Sequence, residues 1–133
     1  MRIKVQNWAD IEMLAAGIRK EPPRCVDTEA LVDTGASGFY LKESVIRQLG
    51  LRAIGRVSSR TMSNLRESRT IYSPVDLEIQ GRSRRFDVVG LPDELPNVVG
   101  QIPLEAMDWV LDLRNCKVIP NLEHKGEELY EEF

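Results

Sequence analysis

The 133-residue sequence holds one histidine and two cysteines, and that scarcity excludes several chemistries. His124 is the sole imidazole available to activate a serine or cysteine nucleophile, and it sits between Glu123 and Lys125 in a polar stretch that reads as a solvated tail. Cys25 and Cys116 are far apart, lack CxxC spacing and have no histidines beside them to complete a zinc site. They are expected to be reduced, partly buried strand residues. No window approaches the roughly 18 apolar residues that crossing a bilayer requires, and the opening MRIKVQNWADIEM lacks the apolar core of a secretory signal. A cytoplasmic protein without a membrane partner is expected. A basic excess is missing too: a net charge of -3 and a pI near 5.3 argue against a nucleic-acid partner. The local Arg82, Arg84, Arg85 group reads as a solvated strand edge or hairpin, where charge discourages aggregation.

What is present suits one globular domain spanning 1–133, since 42% hydrophobic residues can bury one modest core. Residues 120–133 form an acidic tail, and no internal repeat interrupts the chain. Residues 2–6 alternate polar and apolar, the period of a half-buried strand. Ile11, Leu14, Ala15 and Ile18 share one helical face, with Asn7 or Asp10 as cap and Gly17 as terminator. After Pro22 and Pro23, CVDTEALV reads as extended chain leading into a turn at Asp33–Gly38; a short strand 39–41 and a helix 43–49 closed by Gly50 follow. A long hairpin is expected from 56–63 and 69–79, with Pro74 at an edge or bulge. A strand 85–91, a Pro-bracketed loop, the segment 97–100, a helix near Pro103 and strands 109–113 and 116–119 complete the core. Short strands with turn signals and few helices favour a mainly β domain.

The chemically informative string is Ala30-Leu31-Val32-Asp33-Thr34-Gly35-Ala36-Ser37. Three apolar residues before Asp33 would bury a strand and deliver the carboxylate at its end, and Gly35 lets backbone approach that carboxylate closely. Asp, Thr and Gly are also ordinary turn formers, so Asp33 could be a turn cap. A phosphoryl-accepting aspartate would need further acidic Mg²⁺ ligands and a parallel α/β sheet, neither of which the sequence offers.

With ALVDTGAS, the Leu49-Gly50-Leu51 after the helix, and NVVGQIPLEAMDWVLDL followed by CKVIPN, the chain resembles the retropepsin-like aspartic peptidases, in particular their short bacterial and archaeal single-domain members. The resemblance implies an all-β, closed acid-protease barrel with one or two short helices, working as a homodimer on a peptide or protein substrate. It implies that Asp33 is catalytic, that Thr34 locks two catalytic loops across the dimer, and that Gly35, Ala36 and Ser37 support the loop. Met62, Ser63, Asn64 and Leu65 would lie in a substrate-covering flap from about residue 60 to 71. Val98, Val99 and Gly100 would thread beside the catalytic loop. Gln101 stands where retroviral enzymes carry an arginine.

Two carboxylates about 3 Å apart cannot both ionise, a rule for which aspartic proteases are the standard instance. One then serves as base toward a water and the other as acid toward the carbonyl, so neither metal nor cofactor is required. Because Asp-Thr-Gly occurs once, a symmetric dimer is the simplest source of the second carboxylate. The alternative from a different class is a catalytically inactive dimer of this fold that holds a peptide or protein partner in its cleft.

Overall fold

The computed structural model describes residues 1–60 and 65–129. Strand β1 (Arg2–Asn7) buries Ile3, Val5 and Asn7 on one face, as its alternation predicts. It pairs antiparallel with β2 (Cys25–Glu29) on one side and with the late strand β6 (Arg66–Ile79) on the other. Between β1 and β2 lies α1 (Trp8–Ala15), started by the Asn7 side chain, which accepts from the Asp10 backbone N–H at 3.2 Å. Past Ala30 the chain forms β3 (Leu31–Val32), β4 (Phe39–Lys42) and α2 (Glu43–Leu49), which ends at Gly50 in the left-handed conformation (φ 64°). Strand β5 (Ala53–Arg60) pairs with β6, and β6 turns at Gln80 and Gly81, both at positive φ, into β7 (Arg82–Leu91). Short β8 (Val98–Val99), α3 (Gln101–Ala106), β9 (Trp109–Asp112) and β10 (Lys117–Pro120) complete the regular elements, followed by a 3-10 turn at Leu122–His124.

The result is mainly β, with 47% strand and 19% helix, and the principal sheet curls into a half-barrel. Its strands run in the order β2-β1-β6-β7-β4-β8-β3, with β5 added to β6, while β9 and β10 form a separate pair. The strands at the two ends of this path, β2 and β3, are consecutive in the chain and separated only by buried Ala30. The curled sheet therefore meets itself at one residue. Asn97, 3% exposed, stitches that seam. Its Nδ2 donates to the Glu29 carbonyl (2.9 Å), its Oδ1 accepts from Lys42 N–H (2.8 Å), and its own carbonyl accepts from Leu31 N–H (2.8 Å). The side-chain amide and the carbonyl of this buried residue thus all have partners. Inside the curl, Phe39, Leu41, Leu49, Val75, Leu77, Val88 and Val99 form the core with Leu104 and Met107 from the α3 region. The Pro74 expectation holds, since the β6–β7 register shifts between Tyr72 and Val75.

Four expectations are corrected. The face shared by Leu14 and Ile18 is not buried, and Ile18 is 75% exposed. What α1 buries is Asp10, whose carboxylate takes hydrogen bonds from Arg24 N–H, Nε and Nη2 at 2.8–3.0 Å and an ion pair from Arg19. A charge-assisted cluster has displaced the apolar stripe as the anchor. Cys25 and Cys116 are exposed, Cys116 because it occupies a positive-φ turn position (53°) before β10. His124 is not a free solvated side chain, since its Nδ1 lies 2.5 Å from the Asp108 carboxylate, although its neighbours Glu123, Lys125 and Gly126 are exposed. The arginine group is not simply a solvated edge either. Arg82 donates to the carbonyls of Met107, Asp108 and Gly126 while covering the Trp109 ring, and Arg84 pairs with Glu128. Among the described residues no helix is long and apolar enough to cross a membrane.

Candidate active site

Strands β3 and β4 are the two arms of the Asp33 turn, and β8 lies between them. Leu31 and Val32 pair parallel with Val98 and Val99, while Phe39 and Tyr40 pair antiparallel with the same two residues. A two-residue strand flanked this way has its backbone groups committed on both edges, and valines suit its narrow, half-buried position. Its hydrogen bonds then fix the turn: Asp33 N–H donates to Val99 C=O at 3.1 Å, Gly100 N–H to Gly38 C=O at 2.8 Å, Gln101 N–H to Ala36 C=O at 2.8 Å, and Ile102 N–H to Ser37 C=O at 3.0 Å. The start of α3 is thus spent on the carbonyls of the turn.

Within the turn, Gly35 N–H donates to Asp33 Oδ1 at 2.9 Å, and Ala36 N–H closes back on Asp33 C=O at 3.1 Å. Asp33, Thr34 and Gly35 are all exposed. The structure therefore presents the Asp33 carboxylate to the outside, oriented by a backbone N–H, on a loop held by backbone hydrogen bonds to residues 99–102. Gly100 is required for this closeness: a β-carbon there would stand 2.6 Å from the carbonyl oxygens of both Ala36 and Gly38. Tyr40 contributes from β4, its hydroxyl accepting from Gly38 N–H at 3.3 Å.

Thr34 borders a groove of about 760 Å³ that runs along α3 to Trp109, Val110, Leu113 and Leu129. Ile102 in its wall is 58% exposed and Leu113 is 80% exposed. Of the remaining sequence candidates only Leu65 is among the described residues. Leu65 is 62% exposed beside the start of β6, whereas Met62, Ser63 and Asn64 lie outside the described residues. One cross-strand row links the β5–β6 hairpin to the turn, running Ile71, Val89, Tyr40, Val98, Leu31.

Sequence reasoning missed two supports. Asn97, read only as part of the segment 97–100, is the buried seam residue, and nothing but its position before an apolar pair hints at that. Glu43 and Tyr72 join α2 to the foot of the hairpin through Tyr72 Oη donating to Glu43 Oε2 at 2.9 Å. Burial, and then that carboxylate, hold the Tyr72 phenol above its ordinary pKa.

A family model described as "Aspartyl protease" matches residues 25–101, from β2 through the Asp33 turn to the start of α3. That stretch is more than half of the chain, and the chain belongs to this retropepsin-like aspartyl protease family. Among solved structures, the retroviral protease-like domain of Ddi1 from Leishmania major superposes with a TM-score of 0.50 at 17% identity, covering 72% of this chain and 80% of that one. EIAV protease complexed with the inhibitor HBY-793 gives a TM-score of 0.49 at 19% identity, covering 62% of this chain and 75% of that one. No curated protein matches the chain.

Proposed function

We propose that two copies of this chain associate about a two-fold axis at the Asp33 turn and hydrolyse peptide bonds with a water shared between the two carboxylates. The observation that carries this reading is the Asp33 carboxylate itself. It is exposed, oriented by Gly35 N–H and fixed by four backbone bonds from residues 99–102 to the turn, with one such carboxylate per chain. A single fixed carboxylate has no reason to sit on so rigid a loop unless another group must meet it accurately, and symmetry supplies that group from the same residue of a partner.

In the pair, the two aspartates share a proton. The ionised one takes a proton from the water as it attacks the peptide carbonyl, and the protonated one donates to the carbonyl oxygen. Thr34, beside the axis, locks the two turns together. The groove that begins at Thr34 and continues past Ile102 to Leu113 is the surface the second copy covers, which accounts for large apolar side chains exposed next to the site. The β5–β6 hairpin is the flap that closes over substrate.

The test is cleavage of denatured protein at several acidic pH values by the wild-type chain and by Asp33→Asn. The expected result is loss of cleavage in the variant with an unchanged fold, and inhibition of the wild type by a statine-type hydroxyl compound. Full activity in Asp33→Asn would overturn the proposal.

A further inference from the structure

The β5–β6 hairpin differs in charge from the rest of the molecule. Arg52, Arg56, Arg60, Arg66 and Arg69 stand against the single acidic residue Glu67 within residues 52–69, on a chain whose net charge is -3. The register sorts these charges by face. Arg56 lies opposite Thr70, Ser58 opposite Ser68, and Arg60 opposite Arg66, so these alternate positions share one side of the ribbon. Glu67 is on the other side, opposite Ser59, and pairs with Arg69 at 3.6 Å. The first side therefore carries three guanidinium groups and no carboxylate of its own.

Among the described residues Arg56 is held by hydroxyls, from Nε to Ser68 Oγ at 3.0 Å and from Nη1 to Thr70 Oγ1 at 3.3 Å, which position its charge without neutralising it. Arg60 and Arg66 are exposed and placed directly across from one another, an arrangement that repels. Protection of β5 as an edge strand would explain charge of either sign. It does not explain one sign on one face, or a repelling pair in register near the hairpin's end. Guanidinium forks match carboxylates geometrically and remain charged at any working pH.

We propose that this face of the ribbon binds acidic peptide segments, so that the substrates of the site are peptides carrying Asp or Glu beside the bond to be cut. The inference rests on the peptidase reading for its word "substrate", and on the register and charge alone for its word "acidic". In the proposed dimer the two ribbons carry six such guanidiniums, and an anionic segment seated against them relieves their mutual repulsion. Free carboxylates are needed, so the preference fades as pH falls through the ordinary Asp and Glu range near 4.

The experiment measures binding separately from cutting. Asp33→Asn is titrated with two fluorescent peptides of one sequence, flanked by Glu in one and Gln in the other, at pH 6. The Glu peptide is expected to bind about tenfold more tightly at low salt, with most of that advantage gone at about 0.2 M salt, where screening is strong. Arg60→Gln with Arg66→Gln should bring the Glu-to-Gln affinity ratio close to one, and the paired Arg60→Glu, Arg66→Glu variant should favour a Lys-flanked peptide. Equal binding of the two peptides, or a Glu preference that survives both double variants, would overturn the inference. So would tighter, Arg60- and Arg66-dependent binding of a duplex oligonucleotide than of the acidic peptide. Cleavage by the wild type is scored in parallel. Cutting without charge preference removes this inference and keeps the peptidase, whereas charge-dependent binding without cutting removes the peptidase and keeps the acidic-peptide surface.

Discussion

Gly100 passes so close to Ala36 that a β-carbon at position 100 would stand 2.6 Å from the Ala36 carbonyl oxygen, and the same distance from that of Gly38. Both oxygens are already accepting hydrogen bonds, from Gln101 and Gly100 respectively. The backbone at Gly100 is extended at φ -89°, so an alanine there meets no torsional objection and the conflict is purely one of space. Gly100→Ala must push β8 away from the Asp33 turn. Overpacking of this kind costs about 1–3 kcal/mol. The expected outcome is a lowered melting temperature together with a loss of peptide hydrolysis larger than stability alone explains, because the displaced atoms support Asp33. Thermal unfolding and single-turnover cleavage, measured on the same preparation, check both parts.

That contact shows what the sequence made legible. The turn at Asp33 was legible from an apolar run ending in Asp-Thr-Gly, whereas the placement of Val98, Val99 and Gly100 beside it came only from the resemblance to retropepsin-like peptidases. The mainly β architecture followed from short strands punctuated by turn residues. The path of long-range pairing did not. Asn97 joins β2, β3 and β4 through Glu29 C=O, Leu31 N–H and Lys42 N–H, groups 55 to 68 residues away from it in the chain, and no period or propensity encodes such a junction. Asp10 was legible only as a cap, since its partners Arg19 and Arg24 reach it across a loop. His124 looked solvated because its acid, Asp108, stands 16 residues earlier in the sequence and is brought beside it only by the β9–β10 hairpin. In each case the missing information was a polar contact made by tertiary folding.

The proposed association covers the exposed groove beside Thr34. Sedimentation at micromolar concentration is expected to give about twice the 15.1 kDa chain mass. Thr34→Val keeps the shape and removes the hydroxyl; each lost bond is worth about 0.5–1.5 kcal/mol, felt twice in a symmetric pair. The dimer should weaken measurably in Thr34→Val and be largely retained in Thr34→Ser. Equal dissociation constants for wild type and Thr34→Val would remove Thr34 from the contact.

Asp10 links acid to stability. The Arg24 hydrogen bonds outweigh burial and hold its carboxyl below the ordinary value. A depressed folded-state value means that the stabilisation is present above the unfolded-state value near 3.9 and is lost as pH falls through the folded value. Asp10→Asn should cost about 1.5–3 kcal/mol near neutrality, the range for hydrogen bonds to a charged group. The difference in melting temperature between wild type and variant should shrink below about pH 4. A gap that stays constant from pH 7 to pH 3 would show that the charge of Asp10 contributes nothing.

Arg82 holds the last described residues onto the barrel. Its guanidinium donates to Met107 C=O at 3.1 Å, Asp108 C=O at 2.9 Å and Gly126 C=O at 2.8 Å, and lies 4.2 Å from the centre of the Trp109 ring. Lysine cannot reproduce that set, because one ammonium lacks the planar fork that reaches two directions while stacking on an indole. The Asp108 carboxylate adds a second clasp, with Leu129 N–H at 3.0 Å and His124 Nδ1 on the same oxygen. Burial pushes the Asp108 carboxyl up, yet the bonds from His124 and Leu129 overcome it, so it stays ionised below the ordinary carboxylate range. That clasp is therefore present above the unfolded-state value and is lost as pH falls through the folded one. Arg82→Lys should leave β1–β8 folded but free residues 121–129, exposing them to protease near Lys125, while Asp108→Asn should do so less completely because the Arg82 bonds go to backbone. Limited proteolysis with mass analysis distinguishes the two. Equal resistance of wild type and Arg82→Lys at Lys125 would mean that the segment is held by its apolar contacts, Leu129 foremost, and not by the guanidinium.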